Sequence, residues 1–206
     1  DSYYLGGNRW MHNKGGSCTA VGRDALYKNT LNTYSSAMGY NALHNSETGF
    51  NNSAMGYYAL YSNKTGSGNS AMGSCALFHN TEGYDNSAMG YQALDNNTKG
   101  YFNSAMGYAA LISNKTGSYN SAMGSAALSD NTGSYNSAMG YCALYSNKTG
   151  SYNSAMGYNA GRYIANGSTG KTTGDNNLYL GSGTKAKENG TNNEIVIGAN
   201  AIGLGS

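Results

Sequence analysis

Apolar and polar positions along this chain recur in a 17-residue phrase, not with the 3.6-residue period of a helix. Each copy reads close to Asn-Ser-Ala-Met-Gly-Tyr-x-Ala-Leu and is followed by polar residues and glycine. The methionines of successive copies keep this 17-residue spacing, except for one shorter step between Met123 and Met139. A period this short cannot hold a helix pair or a propeller blade, but it fits one coil of a β-solenoid. We therefore predict an all-β fold without helices, a β-solenoid of the parallel β-roll type.

The phrase divides the chain into three parts and predicts about twelve coils. Residues 1–161 form the regular repeat, in which residues 4–6 are expected to be the earliest coil. Residues 162–177 are a polar insertion, and residues 178–206 contain two divergent terminal coils. Neither end has a recognisable cap, so we expect the rod either to continue or to stack end to end.

Within one coil, a strand through Ser-Ala-Met-Gly-Tyr places Ser, Met and Tyr on one face and Ala and Gly on the other. Both faces are restricted in residue type. One face is therefore expected to line the core and the other to pack against further copies of the chain, as in a homo-oligomer. We expect each coil to bury its Met and its Leu. These core positions are Met38, Met55, Met72, Met89, Met106, Met123, Met139, Met156, Leu60, Leu77, Leu94 and Leu111.

A glycine column and an asparagine column are predicted to shape the corners of the coil. Glycine stands six residues before each Met from Met55 to Met156, as at Gly66 and Gly117, where we expect a left-handed turn conformation. Asparagine stands three residues before each of the same seven methionines, as at Asn69 and Asn103, where stacked side chains are expected to form an amide ladder.

Composition and charge narrow the function classes. The chain has 31 Gly, no Pro and 11% charged residues, with a formal net charge of +2. Its Lys and Arg residues are scattered and form no basic patch, so we expect no nucleic-acid partner. No apolar run approaches the ~18 residues of a membrane span. Cys75 and Cys142 lie four coils apart, about 19 Å, which is too far for a disulfide between them.

No constellation of residues predicts catalysis. His12, His44 and His79 stand at unrelated positions of the repeat, and the acidic residues lack the regular spacing of calcium-binding solenoids. No nucleophile and base are paired, and no phosphate-binding glycine loop precedes a helix. We expect a protein that is not an enzyme, with no catalytic residues, no metal and no cofactor.

Two surface features are candidates for recognition or modification. A row of tyrosines two residues after Met could stack sugar rings or simply stack along the rod. A second aromatic set, including Phe102 and Tyr119, stands four residues before Met. Three Asn-x-Ser/Thr sequons share one corner and are candidate glycosylation sites. The tyrosine row is Tyr40, Tyr57, Tyr91, Tyr108, Tyr141 and Tyr158, and the sequons are at Asn63, Asn114 and Asn147.

The repeat resembles known fibre proteins over nearly the whole chain. The phrase Asn-Ser-Ala-Met-Gly at residues 69–73 resembles the β-roll repeat of trimeric autotransporter adhesin heads. The longer phrase at residues 147–158 is similar to repeats of phage tail-fibre and bacterial surface-fibre proteins. This resemblance implies an extended fibre, often trimeric and often adhesive.

Together these features predict a structural subunit or module of an extracellular, cell-surface or virion-surface fibre. It is expected to assemble with copies of itself, either as a trimeric rod or as an end-to-end filament. The alternative is an adhesin that binds a receptor or a cell-surface glycan through the tyrosine row.

Overall fold

The protein is all-β, and its strands stack into one solenoid with the predicted 17-residue spacing. The computed structural model describes residues 2–5, 8–14, 18–28 and 34–205, with side chains from Cys18 onward. A 13-stranded sheet runs along the rod. In the described part of the chain, no helix is long and apolar enough to cross a membrane. The predicted fold class is confirmed.

Eleven strands of this sheet run parallel and in register, one per coil. Neighbouring coils pair identical positions, so that Ala88 lies beside Ala105 and Met89 beside Met106. Ten intervals of ~4.8 Å give a rod about 48 Å long. The parallel strands are β3 (Cys18–Val21), β4 (Ser36–Met38), β5 (Ser53–Met55), β6 (Ser70–Met72), β7 (Ser87–Met89), β8 (Ser104–Met106), β9 (Ser121–Met123), β10 (Ser137–Met139), β11 (Ser154–Met156), β13 (Leu178–Leu180) and β15 (Ile195–Ile197).

The amino-terminal end of the sheet departs from the prediction. Strand β1 (Ser2–Leu5) pairs antiparallel with β2 (Asn8–Lys14), and β2 pairs antiparallel with β3. The expectation that residues 4–6 form the earliest coil is therefore wrong for Tyr4 and Leu5, while Gly6 lies outside the described residues. Because β2 pairs with β3, the edge of the first parallel strand is covered, which the sequence did not indicate.

Alanine and leucine line the interior of the solenoid, and methionine does not. In strands β4 to β11 the Ala is at most 5% exposed, whereas the Met of the same strand is 43–50% exposed. The leucine column from Leu26 to Leu144, which includes Leu60, Leu77, Leu94 and Leu111, is fully buried. The expectation that each coil buries its Met is wrong. Successive side chains of a strand point to opposite faces, so burying the Ala turns the flanking Ser and Met outward.

The glycines of the coil serve two different needs. Those six residues before Met, such as Gly66, are buried and do not have a positive φ, so the predicted left-handed conformation is wrong for them. A Cβ at Gly66 would lie 2.8 Å from Asn80 Nδ2, which means that close packing between coils excludes a side chain. Positive φ occurs instead at the glycine after Met, with +136° at Gly107, and at the buried leucine, with 54° at Leu111.

The predicted asparagine ladder runs through the interior. Asn103 Nδ2 donates to the carbonyl of Gly117 at 2.9 Å, and Asn103 Oδ1 accepts from the backbone N–H of Asn120 at 3.0 Å. Asn103 Nδ2 also donates to Asn86 Oδ1 of the preceding coil at 3.1 Å, so this asparagine bonds to the neighbouring coils on both sides. Buried backbone groups that the corner would otherwise leave unpaired are satisfied in this way.

The segment predicted as a polar insertion is partly built into the coil. Strand β12 (Tyr163–Ile164) pairs in parallel with β14 (Lys185–Ala186), and the carbonyl of Thr172 accepts from the backbone N–H of Lys148 at 2.8 Å. Only residues 165–169 between these contacts are exposed throughout. The segment therefore continues the solenoid and adds a short loop to one coil.

The break in the leucine column at Gly161 has a packing cause. In the next coil Tyr179 takes the interior position that alanine holds in β11, and its side chain is fully buried. A Cβ at Gly161 would lie 2.6 Å from Tyr179 Cδ2. The tyrosine ring fills the volume that a leucine would otherwise occupy.

Contact between stacked glycines predicts a position-dependent cost of adding one methyl group. Gly107 and Gly198 share the same place in the repeat, with φ of +136° and +119°. A Cβ at Gly107 would lie 2.6 Å from the carbonyl oxygen of Gly124, whereas a Cβ at Gly198 meets nothing closer than Ala201 Cβ at 3.8 Å. The backbone strain is similar in both, so Gly107→Ala should lower the free energy of unfolding by at least about 2 kcal/mol more than Gly198→Ala. Urea unfolding followed by circular dichroism measures this difference, and equal losses would contradict the packing explanation.

Candidate functional site

One side of the solenoid is an uninterrupted uncharged surface. We call it the methionine face: the outward Ser and Met side chains of strands β4 to β11, with the equivalent side chains of β3, β13 and β15. The eight methionines are 43–50% exposed, and Leu180 and Ile197 continue the row at 39% and 62%. At the first residue of the strand, on the same face, Ser gives way to Leu178 in β13 and Ile195 in β15. The methionine face therefore becomes more apolar toward β15.

The size of the methionine face is comparable to that of a protein interface. The face is ~48 Å long and about 10–15 Å wide, which corresponds to about 500–700 Å². Standard interfaces bury about 800 Å² per partner, and exposed apolar patches of several hundred Å² usually mark binding surfaces. Methionine side chains are flexible and polarisable, so they can adjust to an opposing apolar surface.

The predicted tyrosine row lies beyond the strand, after the glycine that turns the chain. Its members are stacked in three pairs rather than in one continuous ladder. The ring centroids are 5.5 Å apart in Tyr40–Tyr57, 5.4 Å in Tyr91–Tyr108 and 5.3 Å in Tyr141–Tyr158. Ser74 and Ser125 separate the pairs. All six rings are exposed or half-buried.

A further aromatic column was missed by the sequence analysis. It stands six residues after the Met position, where successive rings stack at 5.1–5.2 Å. His44 belongs to this column and lies between two tyrosines. The 17-residue spacing of these rings could have revealed the column in the sequence. It is not obvious there because the column contains different residue types. Its members are Tyr27, His44, Tyr61 and Phe78.

The candidate glycosylation asparagines are interior residues. Asn63, Asn114 and Asn147 are fully buried, and they form a second amide ladder. Asn114 Nδ2 donates to the carbonyl of Gly117 at 2.9 Å and to Asn97 Oδ1 at 3.1 Å. A glycan needs that nitrogen in solvent, so glycosylation at these three positions is incompatible with the folded coil.

A buried titratable cluster lies near the carboxyl-terminal coils. Lys171 stands one coil after Asn147 in the second ladder, and its Nζ donates to the carbonyls of Thr173 at 2.7 Å and Gly174 at 3.3 Å. Desolvation lowers the pKa of Lys171 to about 8, although the nearby carboxylates oppose the shift. The hydroxyl of Tyr179 donates to Glu194 Oε2 at 3.2 Å, and desolvation raises the pKa of that hydroxyl, with Glu194 adding to the effect.

Side chains that ligate metals do not converge in the described part of the chain. No group of three or more His, Cys, Asp or Glu residues there could hold a metal ion. Cys18, Cys75 and Cys142 are not joined by disulfide bonds. His79 Nδ1 lies 3.0 Å from Asp95 Oδ1, and desolvation raises the pKa of this carboxyl despite the imidazole.

Comparison with protein-family models, with curated proteins and with solved structures finds no match to this chain. The methionine face and the aromatic columns are two of the surfaces that the repeat displays along the rod.

The pKa of Lys171 predicts that stability rises with pH in the alkaline range. The folded pKa of about 8 is below the ordinary value of 10.5, so between these values the unfolded chain binds a proton that the folded chain does not. Raising the pH from 8 to 9.5 should therefore add about 2 kcal/mol to the free energy of unfolding. Above pH 10 the raised pKa of Tyr179 acts in the opposite direction.

Urea unfolding at pH 8 and pH 9.5 measures this effect. The variant Lys171→Met has no titrating group at the position and should lose most of the gain. A gain of the same size in the variant would show that other groups cause it.

Proposed function

We propose that this protein is a structural module of a fibre and that copies of the chain assemble through the methionine face. The observation that carries the proposal is the continuous exposure of eight methionines, in register along most of the rod and without a charged side chain among them.

The repeat itself favours a second copy as the occupant of this face. The eight coils of strands β4 to β11 present the same Ser and Met pair at the same ~4.8 Å rise, so a partner with that rise can match all eight. Another copy of the chain has the same rise because its coils are identical. A cyclic arrangement such as a trimer would bury the face of every copy and leave the aromatic columns outside.

Burial of the methionines would stabilise the assembly considerably. Each methionine still exposes nearly half of its side chain. Removing apolar surface from water contributes about 25 cal/mol per Å². The total gain is the sum of this contribution over the surface of eight methionine side chains. The loss of free rotation and translation on association offsets part of it.

The location follows only from the resemblance to fibre proteins. We propose that the module acts outside the cell or on a virion surface.

Charges placed on the methionine face should separate the copies without unfolding them. In the triple variant Met89→Glu, Met106→Glu and Met123→Glu, each new side chain remains at an outward position that is 44–45% exposed in the single chain. We expect the parent protein to form a discrete oligomer and the variant to be a monomer with an unchanged circular dichroism spectrum. Analytical ultracentrifugation of both proteins at equal concentration measures the outcome.

The control for this experiment is Thr116→Glu, which adds an exposed charge away from the methionine face and should leave the oligomer intact. A parent protein that is monomeric at tens of micromolar would overturn the proposal. So would a triple variant that assembles as well as the parent.

A second candidate function is an adhesin that binds a receptor or a glycan through the tyrosine row. The observation that favours it is the exposure of flat, stacked ring pairs such as Tyr91 and Tyr108, because aromatic faces are suited to stacking on sugar rings.

Replacing one stacked pair tests this candidate. The double variant Tyr91→Ser and Tyr108→Ser uses the residue that the repeat already carries at Ser74 and Ser125. If the row is a recognition surface, the variant should keep the fold and the oligomer but lose at least tenfold in binding on a glycan array or to intact cells. Binding equal to that of the parent would eliminate this role for the pair.

A further inference from the structure

Outside the methionine face, the place five residues before Met holds a ring in three coils, and a serine coil between two of these rings leaves a notch. Rings stand five residues before Met at Phe50 and Tyr84, but the coil between them has Ser67 at this position and Gly68 beside it. An open cavity occupies the space, lined by these four residues and by Asp85. We call it the Ser67 notch.

The dimensions of the notch fit one planar group. In the same column the rings of Tyr84 and Tyr101 stack at 4.8 Å with planes only 3° apart. Phe50 and Tyr84 are two coils apart, which is ~9.6 Å along the rod. A flat group at the level of Ser67 would therefore lie about 4.8 Å from each ring, within the usual stacking range.

A carboxylate lies beside Gly68, the residue that follows Ser67. A Cβ at Gly68 would lie 3.2 Å from Asp85 Cγ and closer still to Asp85 Oδ1, so the glycine leaves the room that this carboxylate occupies. Asp85 makes no ion pair with any residue that the structure describes. Glu82 also lines the cavity and is paired with Lys99 at 3.2 Å. The notch thus combines two aromatic faces with an unpaired negative charge.

The rod already shows what its aromatic columns accept in place of a ring. Arg162 stands one repeat length after Tyr145, and its guanidinium carbon lies 4.6 Å from the centroid of Tyr145 and 4.8 Å from that of Tyr163. Arg23 stands one repeat length before Tyr40, and its guanidinium carbon lies 5.6 Å from the ring centroid. In both cases a guanidinium takes the next place in a column and stacks on a tyrosine.

From these observations we propose that the Ser67 notch is a binding site for a guanidinium group supplied from outside the chain. The planar cation stacks between Phe50 and Tyr84, and its N–H groups donate to the carboxylate of Asp85. Guanidinium is planar, weakly hydrated and able to donate two parallel hydrogen bonds to one carboxylate, whereas an ammonium is compact and strongly hydrated. Its source is either a free guanidinium compound or an arginine side chain of a partner protein.

The first test uses N-acetyl-arginine amide as the probe. It is titrated into the 15N-labelled protein at low ionic strength, and amide shifts are followed by nuclear magnetic resonance. The signals of Ser67, Gly68 and Asp85 should move together and saturate. N-acetyl-lysine amide carries the same charge and should bind at least fivefold more weakly. The peptide acetyl-Gly-Arg-Gly-amide distinguishes the sources: tighter binding than the single residue indicates a protein partner, and equal binding indicates a free guanidinium compound.

Three variants make the test specific to the notch. Asp85→Asn should weaken binding about tenfold, and Ser67→Tyr should abolish it by restoring the ring that Tyr84 and Tyr101 carry at this place in the repeat. The control Ser125→Tyr fills the one-coil gap between Tyr108 and Tyr141 in the tyrosine row. The residues that follow this place, Ala109, Ala126 and Cys142, carry no carboxylate, so this variant should leave binding unchanged. Circular dichroism confirms that each variant is folded.

Several results would overturn the proposal: no saturable shift, equal binding of the arginine and lysine probes, or undiminished binding in Ser67→Tyr. Because the notch lies outside the methionine face, none of these results bears on assembly through that face.

Discussion

The rise of ~4.8 Å between coils, set by backbone hydrogen bonds from each coil to its neighbours, is the constraint on which the rest of the structure depends. Every place in the 17-residue phrase recurs at this distance along the rod, so each residue type becomes a column. A rise of this size leaves no room for a Cβ where backbones meet most closely, which explains the glycines at Gly66 and Gly107. It is also close to the stacking distance of aromatic rings, which explains why rings in the same column stack at 4.8–5.5 Å.

The interior is held by polar contacts as much as by apolar packing. Leucine and alanine cannot satisfy the buried carbonyls of a coil with many corners, and the two asparagine ladders supply the missing donors. A single carbonyl, that of Gly117, accepts from Asn103 in one ladder and from Asn114 in the other. Since buried polar groups are costly when unpaired, these amides stabilise the corner and oblige neighbouring coils to fold together.

Variation along the columns is where the surface acquires distinct features. A serine in place of a ring opens a gap, as at Ser67 and Ser74, and an arginine in place of a ring caps a stacked pair, as Arg23 does beside Tyr40. The same scaffold can therefore combine a uniform face for association with local sites that differ from coil to coil. The methionine face is uniform, which suits association, and the aromatic columns vary, which suits local sites. The two proposed roles therefore belong to different surfaces of the rod.

The sequence by itself determined the solenoid, its period, the buried leucines and the existence of an asparagine ladder, because a strict 17-residue phase leaves few other ways to pair identical positions. It did not determine which face of the strand is inside. Alternation alone allows either Ala or Met to be buried, and only the packed structure decided for Ala. The sequence also did not predict that Asn114 is buried or that Tyr179 fills the place of a leucine. Each of these features depends on a neighbour in the adjacent coil. The columns were readable from the spacing, but the direction of each side chain required the closed coil.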